Sequence, residues 1–191
     1  HPYDRPTGVT AIVDAKIVTM KGNRVIKDGV IIIEGDRITA VGSAGKTKVP
    51  EEAYVVKANG KVVAPGFIDT HAHGAMAVAG ITPQQTWINL ARLAFGVTTI
   101  HAPSNATHSI FASGELAKAG LITSPRTFST GKILYGATGA ARAEIDSLDD
   151  AEFHLKRMQA VGAFSVKSYN QPRRDQRQQV IAAARKLKMM V

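Results

Sequence analysis

From Val62 onward, short apolar runs alternate with helical periods, and this alternation constrains the fold more than any other feature of the chain. The run Val62-Val63-Ala64-Pro65-Gly66-Phe67-Ile68-Asp69 reads as a buried strand. A helix is predicted over roughly Pro83 to Phe95, with Thr82 as N-cap, Pro83 in the first helical position, and Trp87, Leu90 or Ala91, and Ala94 on its apolar face. Gly96 closes it, and Val97-Thr98-Thr99-Ile100 is the next strand. A less regular helix covers Thr107 to Ala119, and Arg126-Thr127-Phe128-Ser129 is a third strand. Ser147 opens another helix, spaced from Asp150 like a capping box, and Gly162 ends it. Ala163 to Ser168 is a fourth strand, a last helix runs from near Pro172 to near Lys188, and Met189-Met190-Val191 opens a fifth strand. Strands alternating with helices imply a parallel sheet with right-handed crossovers. Four such units make about half of a (β/α)8 barrel, which takes ~250 residues.

Before this region the pattern is different. Short apolar runs at Ala11–Val13, Lys16–Met20, Gly29–Ile33, Ile38–Val41 and Tyr54–Lys57 are separated by turn signals at Lys21-Gly22-Asn23, Lys27-Asp28-Gly29, Gly35-Asp36 and Asn59-Gly60. The expected organisation is therefore α/β: a polar, Pro-containing linker (1–8), a small β-sandwich or meander (9–61), and the N-terminal half of a (β/α)8 barrel (62–191). A chain of 191 residues with 45% apolar residues can bury a core, which excludes a disordered chain. With no cysteine there is no disulfide scaffold, thiolate zinc site or cysteine nucleophile. No stretch approaches the ~20 consecutive apolar residues of a membrane helix. The chain opens His1-Pro2-Tyr3 without an initiator Met or a signal-peptide pattern, and is expected to be a processed or excised piece of a longer protein.

Two places carry candidate chemistry. His71 and His73 stand at i and i+2 just past the first barrel strand, a spacing that points both imidazoles to one face. Barrel enzymes build their sites at this end of the strands, and two convergent imidazoles suit a divalent metal. Taken alone, a His-x-His pair also fits an incidental surface pair. Lys167 lies on the fourth strand, where alternation puts Phe164 and Val166 toward the helices and Ser165, Lys167 and Tyr169 toward the barrel interior. A desolvated lysine has a reactive neutral amine that forms a carbamate with carbon dioxide; the alternative is a lysine that reaches solvent at the strand end. His101, at the active-site end of the second strand, either contacts substrate or supports the site's residues from behind, or else is hydrogen-bonded in a purely structural role. Tyr135 and Tyr169, near the loops after strands three and four, either line a pocket or pack. Asp69 either hydrogen-bonds near the His pair or finishes its strand. His1, His108 and His154 read as surface residues, and the Gly131–Gly139 stretch lacks the order of a phosphate loop.

The segment Pro65-Gly66-Phe67-Ile68-Asp69-Thr70-His71-Ala72-His73, after a β region containing Gly35-Asp36-Arg37-Ile38, resembles the amidohydrolase superfamily. Gly162-Ala163-Phe164-Ser165-Val166-Lys167-Ser168-Tyr169 resembles the carboxylated-lysine segment of its binuclear members, with the imidazolonepropionase-like and prolidase-like branch nearest. The resemblance covers Val9 to Val191. It implies a metal-dependent hydrolase of carbon–nitrogen bonds in amides, cyclic amides or dipeptides. His71 and His73 match the first-strand metal ligands, and Lys167 matches the bridging lysine as a CO2-derived carbamate. The implied cofactor is a pair of divalent metals, zinc first, with manganese, iron and cobalt also compatible. The family's later ligands, two histidines and a strand-eight aspartate, would lie after Val191, as would the strands that complete the β region. The chain thus carries half of a site and is expected to be inactive alone. One departure stands out: the acidic residue that often follows the strand-two histidine is Ala102 here, which puts a paired role for His101 in doubt.

Two other classes compete. A truncated, non-catalytic module would bind metal or a partner through its open barrel edge, and the exposed strand edges favour self-association. The net charge of +9 raises anion binding, with Arg173, Arg174, Arg177, Arg185, Lys186 and Lys188 densest on the last helix. That group lies opposite Val180, Ile181, Ala184 and Leu187, as a solvated helix face would, and no nucleic-acid motif accompanies it. The expected partners are a small amide or peptide-like substrate and the rest of the chain's own barrel, with no nucleic acid and no membrane.

Overall fold

The computed structural model describes residues 7–74, 76–77, 80–139 and 142–191. Most of the linker expected at residues 1–8, including His1, lies outside the described residues. The chain divides into two compact units, His1–Gly66 and Phe67–Val191.

In the first unit, strands β1 (Val9–Val18), β2 (Val25–Glu34), β3 (Arg37–Ser43), β4 (Tyr54–Lys57) and β5 (Val62–Val63) form one five-stranded sheet. Of the expected sandwich or meander, the described residues form one mixed sheet in which β1, β2 and β3 follow one another as an antiparallel meander. Its order is β3-β2-β1-β4, with β5 also on β1; β2 runs antiparallel to both its neighbours, whereas β4 and β5 run parallel to β1. Gly35-Asp36 makes the two-residue hairpin between β2 and β3, with Gly35 at φ +57°.

The turn expected at Lys27-Asp28-Gly29 is absent, because β2 runs straight through it. Instead the pairing is irregular there, with an extra β1 residue between Ile12 and Ala15, where Asp14 has φ +54°, and an extra β2 residue between Ile26 and Gly29. Before the shift, Ala11 and Val13 pack on one face with Val30 and Ile32; after it, Ala15 and Ile17 pack on the other with Ile26 and Ile31. Residues an even number apart should share a face, so the bulge has exchanged the two faces of the strand. Gly29 lies opposite Ala15, and a Cβ there would strike the Ile17 side chain and come within 3.1 Å of the Ala15 carbonyl oxygen.

In the second unit, β6 (Phe67–Asp69), β7 (Val97–Ala102) and β8 (Arg126–Ser129) form a parallel sheet in that order. Helices α1 (Trp87–Ala94) and α2 (Thr107–Lys118) connect them. A short parallel pair, β9 (Ile133–Tyr135) and β10 (Arg142–Glu144), precedes α3 (Leu148–Ala160), and α4 (Arg174–Lys186) follows. Leu134, Ile145, Leu155, Met158, Val166 and Val180 form one core, and Ala72, Met76, Ile100, Ala102 and Ile110 another. None of the helices among the described residues is long and apolar enough to cross a membrane.

Three expectations are corrected. The run Val62–Asp69 is not one buried strand: Val62–Val63 belongs to the first sheet, and Phe67 and Ile68 are exposed. The first helix begins four residues later than expected, where the Thr86 hydroxyl accepts from the Asn89 N–H, and it turns Trp87 outward. The fourth strand is an extended segment held by isolated parallel bridges, Leu134 to Ser168 and Ser165 to Met190, rather than by a continuous ladder.

The α3 start matches expectation, with Ser147 Oγ accepting from Asp150 N–H at 3.0 Å. The Ser147 hydroxyl and then the Asp146 N–H hold the Asp150 carboxyl below its ordinary value. This stabilising contribution is present at neutral pH and fades as pH falls through that lowered range. On α4, Val180 and Ala184 are buried, Arg173 pairs with Asp146 and Asp175, and Lys186 pairs with Glu152. Ser147→Ala is expected to cost about 1 kcal/mol in urea unfolding near pH 7. Gly29→Ala is expected to cost about 1–3 kcal/mol, read in the same way, because the added methyl has no room beside Ile17.

Candidate active site

A cavity of about 660 Å³ opens where the parallel strands end, lined by Thr70, His71, His101, Phe164, Ser165 and Lys167 among others. The parallel register sets Asp69 beside Ile100, so the chain leaving β6 runs past the end of β7. The Ala72 N–H donates to the His101 carbonyl at 3.0 Å and fixes this approach.

The His71 and His73 rings lie edge to face, 4.9 Å apart. Two polar side chains hold the backbone beneath them. Asp69 Oδ1 accepts the His71 N–H at 3.0 Å, and Arg92 Nη2, reaching from α1, donates to the His73 carbonyl at 2.5 Å. Asn105 Nδ2 donates to the Gly74 carbonyl at 2.9 Å. Asp69 thus takes the hydrogen-bonding role of its two expected ones. His73 Nδ1 lies 3.3 Å from Ser104 Oγ. Desolvation, then the charges of Lys167 and His71, holds His73 below the ordinary imidazole value, against an opposing pull from Asp69. A neutral imidazole with one nitrogen engaged by a hydroxyl is prepared to offer the other as a ligand atom.

Lys167 is half-buried at the same cavity. Its neighbours depart from strict alternation. Val166 is buried on the helix side as expected, but Phe164 is not: it is 43% exposed and packs beside His101 and Phe128, with ring centres 5.6 and 5.8 Å away. A segment without a continuous ladder has no pleat to enforce the period of two.

His101 lies at the cavity, yet its ring is engaged within the chain. Nε2 is 2.8 Å from Ser165 Oγ, and the ring also bonds to the Thr70 backbone. Desolvation lowers its pKa, opposed by that backbone bond.

Tyr135 and Tyr169 are not among the described lining of this cavity. Their rings meet at 6.0 Å, and the Arg142 guanidinium stacks on them, 4.3 Å from the Tyr135 centroid and 5.6 Å from that of Tyr169. Lys167 Nζ is 5.2 Å from the Tyr169 centroid, so this cluster adjoins the lysine. Sequence reasoning missed Arg92, Ser104 and Arg142. Each is distant in sequence from the group it touches, and no motif marks it. His108 is exposed as expected, whereas His154 is half-buried with its Nδ1 shielded from solvent. Among the described residues no group of three or more His, Cys, Asp or Glu side chains is gathered around one point.

No protein-family model matches the chain. It is 28% identical over 147 residues to imidazolonepropionase of Paenarthrobacter aurescens (strain TC1), a match covering 70% of this chain and 35% of that protein. It is 41% identical over 70 residues to 5-methylthioadenosine/S-adenosylhomocysteine deaminase of Bacillus thuringiensis (strain Al Hakam), covering 36% of this chain and 16% of that protein. Among solved structures, a Bifidobacterium longum protein assigned as a prolidase superimposes with TM-score 0.77 at 22% identity, over 96% of this chain and 48% of that one. Bottromycin amidohydrolase superimposes with TM-score 0.72 at 15% identity, over 98% of this chain and 39% of that one. The chain therefore spans about a third or less of these curated relatives and at most about half of these solved structures. With His71 and Lys167 at one cavity, these likenesses support the resemblance of the chain to the amidohydrolase superfamily.

Proposed function

We propose that the protein containing this chain hydrolyses carbon–nitrogen bonds in amides, cyclic amides or dipeptides, using one or two divalent cations held by His71, His73 and a carbamate on Lys167. The observation that carries this reading is the convergence of His71 and Lys167, from two segments far apart in sequence, on one cavity at the ends of parallel strands. The relatives' names, imidazolonepropionase and prolidase among them, support the same bond class.

The donor set fits a divalent cation. His73 is kept neutral, and Ser104 engages its Nδ1. Asp69 and Arg92 fix the backbone on either side of the pair, as outer partners of metal ligands do. Addition of the Lys167 amine to carbon dioxide, with loss of one proton, would give an anionic carbamate able to serve as a further ligand. A cation bound there supplies Lewis acidity for attack of water on the substrate carbonyl. Beside it, Phe128 and Phe164 meet edge to face and give the cavity an apolar wall. In this reading the chain supplies the strand-one and strand-four part of a (β/α)8 site, and the family's other ligands, two histidines and a proton-shuttling aspartate, would complete it.

The test is the metal content of the longer protein, purified without chelator, against its Lys167→Ala variant. About two metals per chain, falling sharply in the variant, are expected, with hydrolysis lost on chelation and restored by zinc. Within this chain, His71→Ala is expected to weaken Zn²⁺ binding beyond the ~10–100-fold of an outer-partner change. Absence of metal from both proteins would favour a non-catalytic module with His71 and His73 as relics.

A further inference from the structure

We infer that His101 is a positioning residue that sets the spacing between the His71–His73 segment and Lys167. This rests on reading those three residues as cation ligands. His101 touches both segments. On one side its ring bonds to the Thr70 backbone and its carbonyl accepts the Ala72 N–H, so it grips the residues immediately before and after His71. On the other side its Nε2 meets Ser165 Oγ at 2.8 Å, two residues before Lys167.

The ring chemistry fixes the roles. A neutral imidazole has one donor and one acceptor nitrogen. With Nε2 at the serine, Nδ1–H donates to the Thr70 carbonyl, and Nε2 accepts the Ser165 hydroxyl proton. Both nitrogens are then used, and neither is left for substrate or metal. Ser165 is 6% exposed and Phe164 packs beside the ring, so water does not compete well for the bond.

The tie matters because of how the Lys167 segment is held. The described strands β6, β7 and β8 pair with one another, whereas the backbone hydrogen bonds described for residues 163–168 run to Met158, Leu134 and Met190 and none runs to β7. Backbone pairing therefore does not tie the Lys167 segment to the strand that holds the His71 segment. The His101–Ser165 bond links it directly to β7, the strand that also fixes the His71 segment.

The test is Zn²⁺ titration of the 191-residue chain, with and without bicarbonate, at a temperature where circular dichroism finds every variant folded. Bicarbonate is expected to tighten Zn²⁺ binding by the wild-type chain by forming the carbamate. In Ser165→Ala and in His101→Phe, which keeps the ring packing, that tightening is expected to vanish, with affinity down ~10–100-fold. The double variant is expected to be no weaker than the worse single, as residues acting through one bond require. Ser165→Thr, which keeps the hydroxyl, is expected to retain the bicarbonate effect. A merely structural role would lower the melting temperature and leave the bicarbonate effect intact in the folded variants, which would overturn the inference. Should His101→Phe not fold, Ser165→Ala against Ser165→Thr decides alone. Failure of the wild-type chain to bind Zn²⁺ would overturn the ligand reading, and this inference with it. Wild-type binding with unchanged variants would overturn the inference only.

Discussion

The parallel pairing of β6 with β7 is the constraint on which the rest of the site depends. It is short, since β6 has three residues, yet it is anchored by Ile100, which is wholly buried against Ala72, Met76, Ala102 and Ile110. Once Asp69 lies beside Ile100, the next residues must cross the end of β7, and His71 arrives beside His101 with no further adjustment. The apolar anchor and the polar contacts divide the work. Burial of Ile100 fixes where the strand lies, while Asp69 and Arg92 fix how the exposed backbone beyond it is turned. Hydrogen bonds of this exposed kind add little net stability, but they are directional, and direction is what a ligand pair requires.

Much of this was legible in the sequence for physical reasons that can be named. The Val97–Ile100 strand, the α2 and α3 helices and the Ser147 cap follow from local chemistry, namely β-branched runs, helical spacing and a hydroxyl three residues before the N–H it accepts. The placement of His71 and Lys167 at strand ends follows from the same alternation. What the sequence hid are features decided by distant partners. The Val62–Asp69 run has one composition throughout, and only pairing with β1 splits it between two sheets. Lys27-Asp28-Gly29 has the composition of a turn, but the glycine serves a close approach to Ile17 instead. Phe164 broke the expected alternation because its segment lacks a ladder. Arg142 had no local signal, since its meaning comes from the Tyr135 and Tyr169 rings.

The electrostatics of the site are unevenly distributed. Lys167 and the Arg142 cluster bring positive charge to one side of the cavity, and Asp69 is the acidic group near the His pair. Desolvation first, and then the positive charge of Lys167, holds the His73 imidazole below its ordinary value. The basic helix α4 contributes to the +9 net charge but not to the described lining of this cavity; Arg173 at its N-cap pairs with Asp146 and Asp175, and Lys186 near its end pairs with Glu152.

The exchange of faces at Asp14 has a consequence for how the first unit can vary. A strand with uniform alternation can accept a polar-for-polar change almost anywhere on its outer face. In β1 neither side is outer along the full length: the half before Asp14 and the half after it turn opposite sides to the two apolar clusters. Side chains can be exchanged within each half if their size is kept. Losing one residue between Ile12 and Ala15 would restore ordinary alternation and still leave Ala15 and Ile17 opposite Ala11 and Val13, each set on its own cluster. Drift in this strand can therefore remove the bulge, but it cannot make either side of the whole strand uniformly polar.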